Sequence, residues 1–326
     1  MIGGALTLWG EVGTETEFLV ENCLFEGNQA GNEAGAIWVF NGSNDFTASI
    51  SRCKFIENQS PTGAAIGSNN NGLITPSDPT LAKLEMDNCL LSGNIGDNAI
   101  SILDFPDFQI LNSTIAGNTG GAIEVSNHSG LTLQNTILFN NKNHIELEIL
   151  SGITSITSNG GNLIRDISFS PFALPYDLES VDPLFAGSDD YHLSDDSPAI
   201  DKGIDTEDFP EFDLDGNDRL NGCVDIGAYE SETIVSEDCV TDTKEVLVGG
   251  VLLLSPNPAV DFLNIQLPEN IIQVIEISIF DSQGRRVLIQ SIFNGRSIDV
   301  EGFASGMYLV KVVEGGRMYT GRFVKQ

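Results

Sequence analysis

Positive charge is scarce in this chain. Its 326 residues include 15 Lys and Arg against 47 Asp and Glu, a formal net charge of −32. A surface with that balance repels phosphate backbones and anionic headgroups, so nucleic acid and anionic membrane surfaces are excluded as partners. The deficit is uneven: residues 251–326 hold seven basic and seven acidic side chains, leaving 8 and 40 for residues 1–250. Long apolar runs are missing too, and no segment could cross a bilayer as a helix. No stretch of a dozen residues repeats its apolar positions with a period of 3.6, and Gly and Asn recur every few residues, so helices have no room to grow. Of the three His, His128 and His144 have no Ser, Cys or metal partner at useful spacing, which leaves no set for nucleophilic catalysis.

Against those absences stands a phrase that occurs five times: Asn22-Cys23-x-Phe25-x-x-Asn28, Arg52-Cys53-x-Phe55-x-x-Asn58, Asn88-Cys89-x-Leu91-x-x-Asn94, Asn112-Ser113-x-Ile115-x-x-Asn118 and Asn135-Thr136-x-Leu138-x-x-Asn141. Copies begin 30, 36, 24 and 23 residues apart. A unit that varies in length but keeps its core positions is the mark of stacked coils. Apolar and polar residues alternate around each copy, as in Val20-x-x-Cys23-x-Phe25, which predicts short strands and an all-β fold. The closing Asn of each phrase, at 28, 58, 94, 118 and 141, is expected to take a left-handed turn conformation and to hydrogen-bond to its equivalents as a ladder. Cys23, Cys53 and Cys89 read as small core residues, since no Cys or His lies near them at metal-ligand spacing.

This pattern resembles the right-handed parallel β-helix of the pectate-lyase-like superfamily over residues 1–165. Gly3-Gly4-Ala5-Leu6 already reads as the second half of a coil, so the chain is expected to open in mid-coil, with upstream coils missing. Residues 166–232 contain Asp182-Pro183-Leu184-Phe185, Ser197-Pro198-Ala199-Ile200-Asp201-Lys202-Gly203, Asp213-Leu214-Asp215-Gly216-Asn217 and Val224-Asp225-Ile226-Gly227-Ala228-Tyr229-Glu230. That succession is similar to the C-terminal part of the choice-of-anchor Q family of bacterial surface proteins, and it predicts a loop-rich cap. Residues 233–250 read as a linker. From 251 to 326, Ser255-Pro256-Asn257-Pro258, Ile277-Ser278-Ile279-Phe280-Asp281 and Ser305-Gly306-Met307-Tyr308-Leu309-Val310 resemble the type A sorting domain of the type IX secretion system of Bacteroidota, a small antiparallel sandwich. The resemblance implies export by that machinery to the outer-membrane surface or the medium, with cleavage in the Ser- and Asp-containing stretch 231–250. An extracellular destination permits a disulfide between Cys223 and Cys239 and leaves open whether it forms.

If Ile37, Ile66, Ile100, Ile123 and Ile145 point inward, the next residue of each strand points out. One outward column then reads Thr7, Trp38, Gly67, Ser101, Glu124, Glu146, and a second includes Trp9, Phe40, Leu103, Ser126 and Glu148. Trp9, Trp38 and Phe40 form a candidate stacking platform for sugar rings, or else pack under a loop. Glu124, Glu146 and Glu148 form an acidic cluster: a Ca²⁺ bridge to an acidic glycan, a carboxyl pair with one raised pKa, or merely solvated carboxylates. Asp213, Asp215 and Asn217 have the oxygen spacing of a Ca²⁺ loop but lack its bidentate Glu, since Val224 stands at the twelfth position; a plain turn accounts for the same residues.

The tetrads of polygalacturonase-type relatives are absent from the coils, and the basic residues there share no outward column. The expectation is a secreted or surface-bound module that contacts extracellular polysaccharide without chemistry. Two alternatives stay open: a polysaccharide lyase or glycoside hydrolase whose site lies partly on missing coils, and a structural spacer or adhesin.

Overall fold

The computed structural model describes residues 4–10, 15–41, 45–69, 82–127, 129–141, 146–149, 155–167, 169–205, 210–235, 239–241, 248–266, 274–293, 297–314 and 317–326. Among them there is no helix. Three parallel sheets run through the first half. Sheet A stacks Leu6–Gly10, Ile37–Asn41, Ile66–Asn69, Asn98–Leu103, Gly121–Ser126 and Leu147–Ile149. Sheet B stacks Glu15–Glu21, Asp45–Ser51, Lys83–Asp87, Asp107–Leu111, Gly130–Gln134 and Ser155–Ser158. Sheet C stacks Leu24–Glu26, Lys54–Ile56, Leu90–Ser92, Thr114–Ala116, Ile137–Phe139, Leu163–Ile164 and Leu178–Glu179. The chain visits A, B and C in turn and then returns to A one strand further on, which makes a parallel β-helix.

Each sheet turns apolar side chains inward in columns. Ile37, Ile66, Ile100 and Ile123 are in register on sheet A, as are Ile50, Met86, Ile110 and Leu133 on B, and Phe55, Leu91, Ile115 and Leu138 on C; all are fully buried. Phe25 and Phe55 stack with ring centres 5.0 Å apart. No coil has a closed core of its own, so burial accumulates only as coils stack.

The left-handed residues differ from expectation. Positive φ falls on the first residue of each phrase, Asn22, Arg52, Asn88, Asn112 and Asn135, and on the residue before the closing Asn: Gly27, Glu57, Gly93, Gly117 and Asn140. The closing Asn has left the turn, and its side chain points along the stack instead. Asn28 Nδ2 donates to Asn58 Oδ1 at 2.9 Å, Asn58 to Asn94 at 3.0 Å, Asn94 to Asn118 at 2.9 Å and Asn118 to Asn141 at 2.8 Å. Each of these acceptor oxygens also takes the backbone N–H of the preceding Asn, at 2.9–3.1 Å.

The chain divides into two compact units, residues 1–166 with 176–242 and residues 167–175 with 243–326. The cap expected at 166–232 therefore belongs to the coil unit except for residues 167–175, which group with the second. In the second unit, Val248–Val251, Arg317–Lys325, Gly306–Glu314, Val274–Phe280 and Arg286–Phe293 form a five-stranded sheet, antiparallel except for the pairing of Val248–Val251 with Arg317–Lys325. A three-stranded antiparallel sheet of Leu253–Ser255, Phe262–Gln266 and Ser297–Asp299 completes it. Its core joins Leu263, Ile265 and Ile298 to Ile277, Ile279, Val310, Val312 and Phe323.

Candidate functional site

Sheet A presents an outward column of Thr7, Trp38, Gly67, Ser101, Glu124 and Glu148, each opposite the next. Glu148 stands where Glu146 is expected, because Leu147, not Ile145, lies opposite Ile123. The run Ile145-Glu146-Leu147-Glu148-Ile149 alternates throughout, so two registers two residues apart satisfy the same inside–outside pattern. Ile145 itself, with Lys142 and His144, lies outside the described residues, as does His128. Glu146 leaves the acidic cluster altogether. It is fully buried, its carboxylate accepts Asn141 Nδ2 at 2.5 Å and Asn141 N at 3.4 Å, and its own N–H donates to Asp166 at 3.1 Å. Burial, reinforced by Asp166, pushes its carboxyl up to about 7.

The aromatic residues also separate. Trp38 is only 6% exposed, and its indole lies across Gly67, where a Cβ would come within 3.2 Å of two ring carbons. Trp9 is 58% exposed and stacks on half-buried Phe40, ring centres 4.3 Å apart and planes 27° from parallel. Trp9 and Phe40 thus form the accessible part of the platform, and Trp38 packs beside them.

At the other end of the face, Glu124 accepts Asn98 Nδ2 at 3.1 Å and Ser101 Oγ at 3.5 Å and stands opposite Glu148. Burial first, and then the Glu148 charge, raise the Glu124 pKa. Lys54 sits on sheet C, Lys83 on sheet B, and Arg52 and Arg165 in or beyond turns, so none of these cations reaches the sheet A face.

Asp213 is fully buried, and N–H donors occupy both its oxygens: Oδ1 accepts Asp215 N at 2.9 Å and Asn217 N at 2.7 Å, Oδ2 accepts Glu230 N at 2.9 Å and Asn217 Nδ2 at 3.2 Å. A cation would need those lone pairs. Among the described residues no group of three or more His, Cys, Asp or Glu is arranged to hold a metal ion. Cys223 and Cys239 are joined as a disulfide.

Two polar clusters in the cap escape sequence reading, because their members are distant in the chain. Arg219 is fully buried: Nε donates to Asn88 Oδ1 at 3.0 Å, and a terminal nitrogen donates to Asn88 Oδ1, the Asn112 carbonyl and the Gly227 carbonyl at 2.5, 3.1 and 2.6 Å. Its ion pair with Glu230, at 3.4 Å, is also buried. Burial and the nearby Asp225 push Glu230 up to about 9 despite the guanidinium. Nearer the surface, the His192 ring lies between Asp190, 2.5 Å from Nδ1, and Asp215, 2.8 Å from Nε2, and Lys54 reaches Asp215 at 3.2 Å. The ring lies against Tyr229, centres 4.0 Å apart and planes tilted by 32°. This cluster fastens two cap loops to sheet C.

Residues 254–326 match the family described as the secretion system C-terminal sorting domain. No curated protein matches the chain. The tail marks a protein exported by the type IX system to the cell surface or extracellular space.

Proposed function

We propose that this exported protein contacts extracellular polysaccharide through the outward face of sheet A and does no chemistry on it. The observation that supports the reading is the exposed Trp9 stacked on Phe40, a flat apolar surface bordered by polar side chains. The apolar face of a pyranose ring stacks on such a surface. With Glu124 and Glu148 on the same face and the basic side chains of sheets B and C turned elsewhere, a neutral glycan fits better than an acidic one. The Trp9→Ala variant is expected to lose at least about ten-fold in affinity on an array of immobilised neutral glycans, the worth of one stacking contact of about 1.5 kcal/mol. Unchanged binding would discard the platform.

A second reading draws on Glu124 and Glu148. Two carboxylates on adjacent strands, one with a raised pKa, are the elements of a glycoside hydrolase pair. New reducing ends formed by the wild type and lost in Glu124→Gln would establish it over simple binding. The pectate-lyase-like and choice-of-anchor Q relationships, and a bacterial origin in Bacteroidota, belong to the same proposal. So does proteolytic removal of the tail. With Cys223 bonded to Cys239, a cut between them would leave the tail tethered, so release requires cleavage beyond Cys239.

A further inference from the structure

The repeat places Cys23, Cys53 and Cys89 in one column, one coil apart. Register settles this: Leu24 lies opposite Lys54 and Lys54 opposite Leu90, while Lys54 N donates to Cys23 O at 2.9 Å and Leu90 N to Cys53 O at 3.1 Å. All three side chains adopt the same orientation, each thiol donating to the carbonyl two residues back: Cys23 to Glu21 at 3.1 Å, Cys53 to Ser51 at 3.2 Å and Cys89 to Asp87 at 3.2 Å. The Cys53 and Cys89 thiols also lie 3.6 Å from the carbonyls of Val20 and Ile50 in the coil before. Cys23 and Cys53 directly precede the paired strands, where in-register residues are about 4.8 Å apart, inside the Cα separation that a disulfide spans, about 4.4–6.8 Å; closing the bond draws the Cβ atoms slightly together, to about 3.5–4.5 Å. None of the three is bonded covalently, although the chain already carries the Cys223–Cys239 disulfide and is exported to a compartment where thiols oxidise.

We propose that Cys23 and Cys53 form an oxidation site that exchanges with an organic disulfide and cross-links two successive coils. Exposure selects this pair, because Cys53 and Cys89 are fully buried and Cys23 is partly open to solvent. In the first step the Cys23 thiolate attacks the external disulfide RSSR, forming a mixed disulfide and expelling RS⁻. In the second, the Cys53 thiolate attacks the Cys23 sulfur and expels the second RS⁻. The two protons lost by the protein thiols end on the two RSH products, so the protein gives up two electrons and RSSR takes them. Cys89 chiefly holds the Cys53 thiol below its ordinary pKa, which favours the second attack, whereas burial and then the neighbouring Cys53 raise the pKa of Cys23, so the first attack draws on a smaller thiolate fraction.

The column itself supplies a benign replacement. One coil beyond Cys89 the same position is Ser113, whose hydroxyl donates to Leu111 O at 2.6 Å, and then Thr136, which donates to Gln134 O at 2.9 Å. Cys→Ser therefore repeats a side chain that the fold already uses. The purified full chain is equilibrated with glutathione disulfide, alkylated in denaturant and mapped by mass spectrometry. The wild type should drop from three alkylatable thiols to one, with a Cys23–Cys53 peptide. Cys89→Ser should drop to none, and Cys23→Ser should keep its two. The proposal is overturned if all three thiols persist, if glutathione stays attached to Cys23 without closure, or if the bond joins Cys53 to Cys89.

Discussion

Asn94 is the middle rung of the closing-Asn ladder and fully buried, so its removal measures what the ladder contributes. Its Nδ2 donates to Phe55 O and to Asn118 Oδ1, both at 2.9 Å, and its Oδ1 accepts the backbone N–H and Nδ2 of Asn58, both at 3.0 Å. Asn94→Ala deletes all four bonds. Asn58 Nδ2 keeps Phe25 O as an acceptor, at 2.9 Å, but the buried Asn58 N–H loses the side-chain oxygen that receives it. Each buried polar group left unmatched costs about 1–3 kcal/mol, and the vacated amide adds a void, so a total of about 3–5 kcal/mol is expected. For a unit of this size about 1 kcal/mol moves the midpoint by roughly 2–4 °C, so the coil unit should melt roughly 6–20 °C lower in far-ultraviolet circular dichroism. Asn28→Ala is the internal comparison. Asn28 is half-buried, only its Nδ2 bond is lost, and Asn58 Oδ1 still takes the Asn28 N–H at 3.1 Å. That variant should cost about 1 kcal/mol. Equal costs for the two variants would refute the ladder as a source of stability.

Glu146 has a pKa raised in the fold, so the folded chain holds a proton that the unfolded chain releases; the stability this contributes is full below about pH 4.5 and is lost as pH rises through about 7. Glu146→Gln should therefore match the wild type near pH 5 and exceed it at pH 8 by at most about 3 kcal/mol in urea titrations, and a constant difference at both pH values would contradict the assignment. Arg219→Met leaves Asn88, Asn112 and Gly227 without their shared donor, and about 3–5 kcal/mol of cap docking should be lost. Hydrogen exchange should then rise across residues 210–231 before it rises in the coils. In a host that processes the tail, the mature protein should keep Cys239, shown by its terminal peptide. A mature chain ending before Cys239 that separates from the tail without reductant would refute the disulfide bracket.

Much of the β-helix could be read from residue types because each coil repeats the same requirements. Val20-x-x-Cys23-x-Phe25 and its copies mark a strand of sheet B, the turn and a strand of sheet C, and the paired strands keep that order. The handedness of individual residues was harder to place. Asn is tolerated at positive φ wherever it occurs, so the pattern could not tell the Asn that bends the chain, such as Asn88, from the Asn that bonds along the stack, such as Asn94. On the candidate face, alternation placed Trp9, Trp38 and Phe40 outward but carried no information on burial. The absent side chain at Gly67 is what lets the Trp38 indole lie flat and leaves Trp9 as the exposed ring. The Arg219 and His192 clusters draw on side chains up to 161 residues apart, as in Lys54 with Asp215, and no local spacing reports them.

Glu146 was misplaced for a reason that follows from the ladder itself. Every amide in that column donates towards the later coil, so the last rung, Asn141, needs an acceptor beyond it. A carboxylate meets that need, and Glu146 reaches back with both oxygens to the Asn141 side chain and N–H. The column at the first position of the phrase runs the other way: Asn135 Nδ2 donates to Asn112 Oδ1 at 2.9 Å, and Asn112 Nδ2 to Asp87 Oδ1 at 2.8 Å. It too ends on a carboxylate, and burial pushes Asp87 up to about 6. A polarised row of amides thus ends on an acidic residue, fully buried at Glu146 and half-buried at Asp87, where desolvation raises its pKa although amides bond to it. The two perturbed carboxyls are consequences of how the amide columns end, whereas Glu124, raised by burial first and then by the Glu148 charge, stands on the outward face.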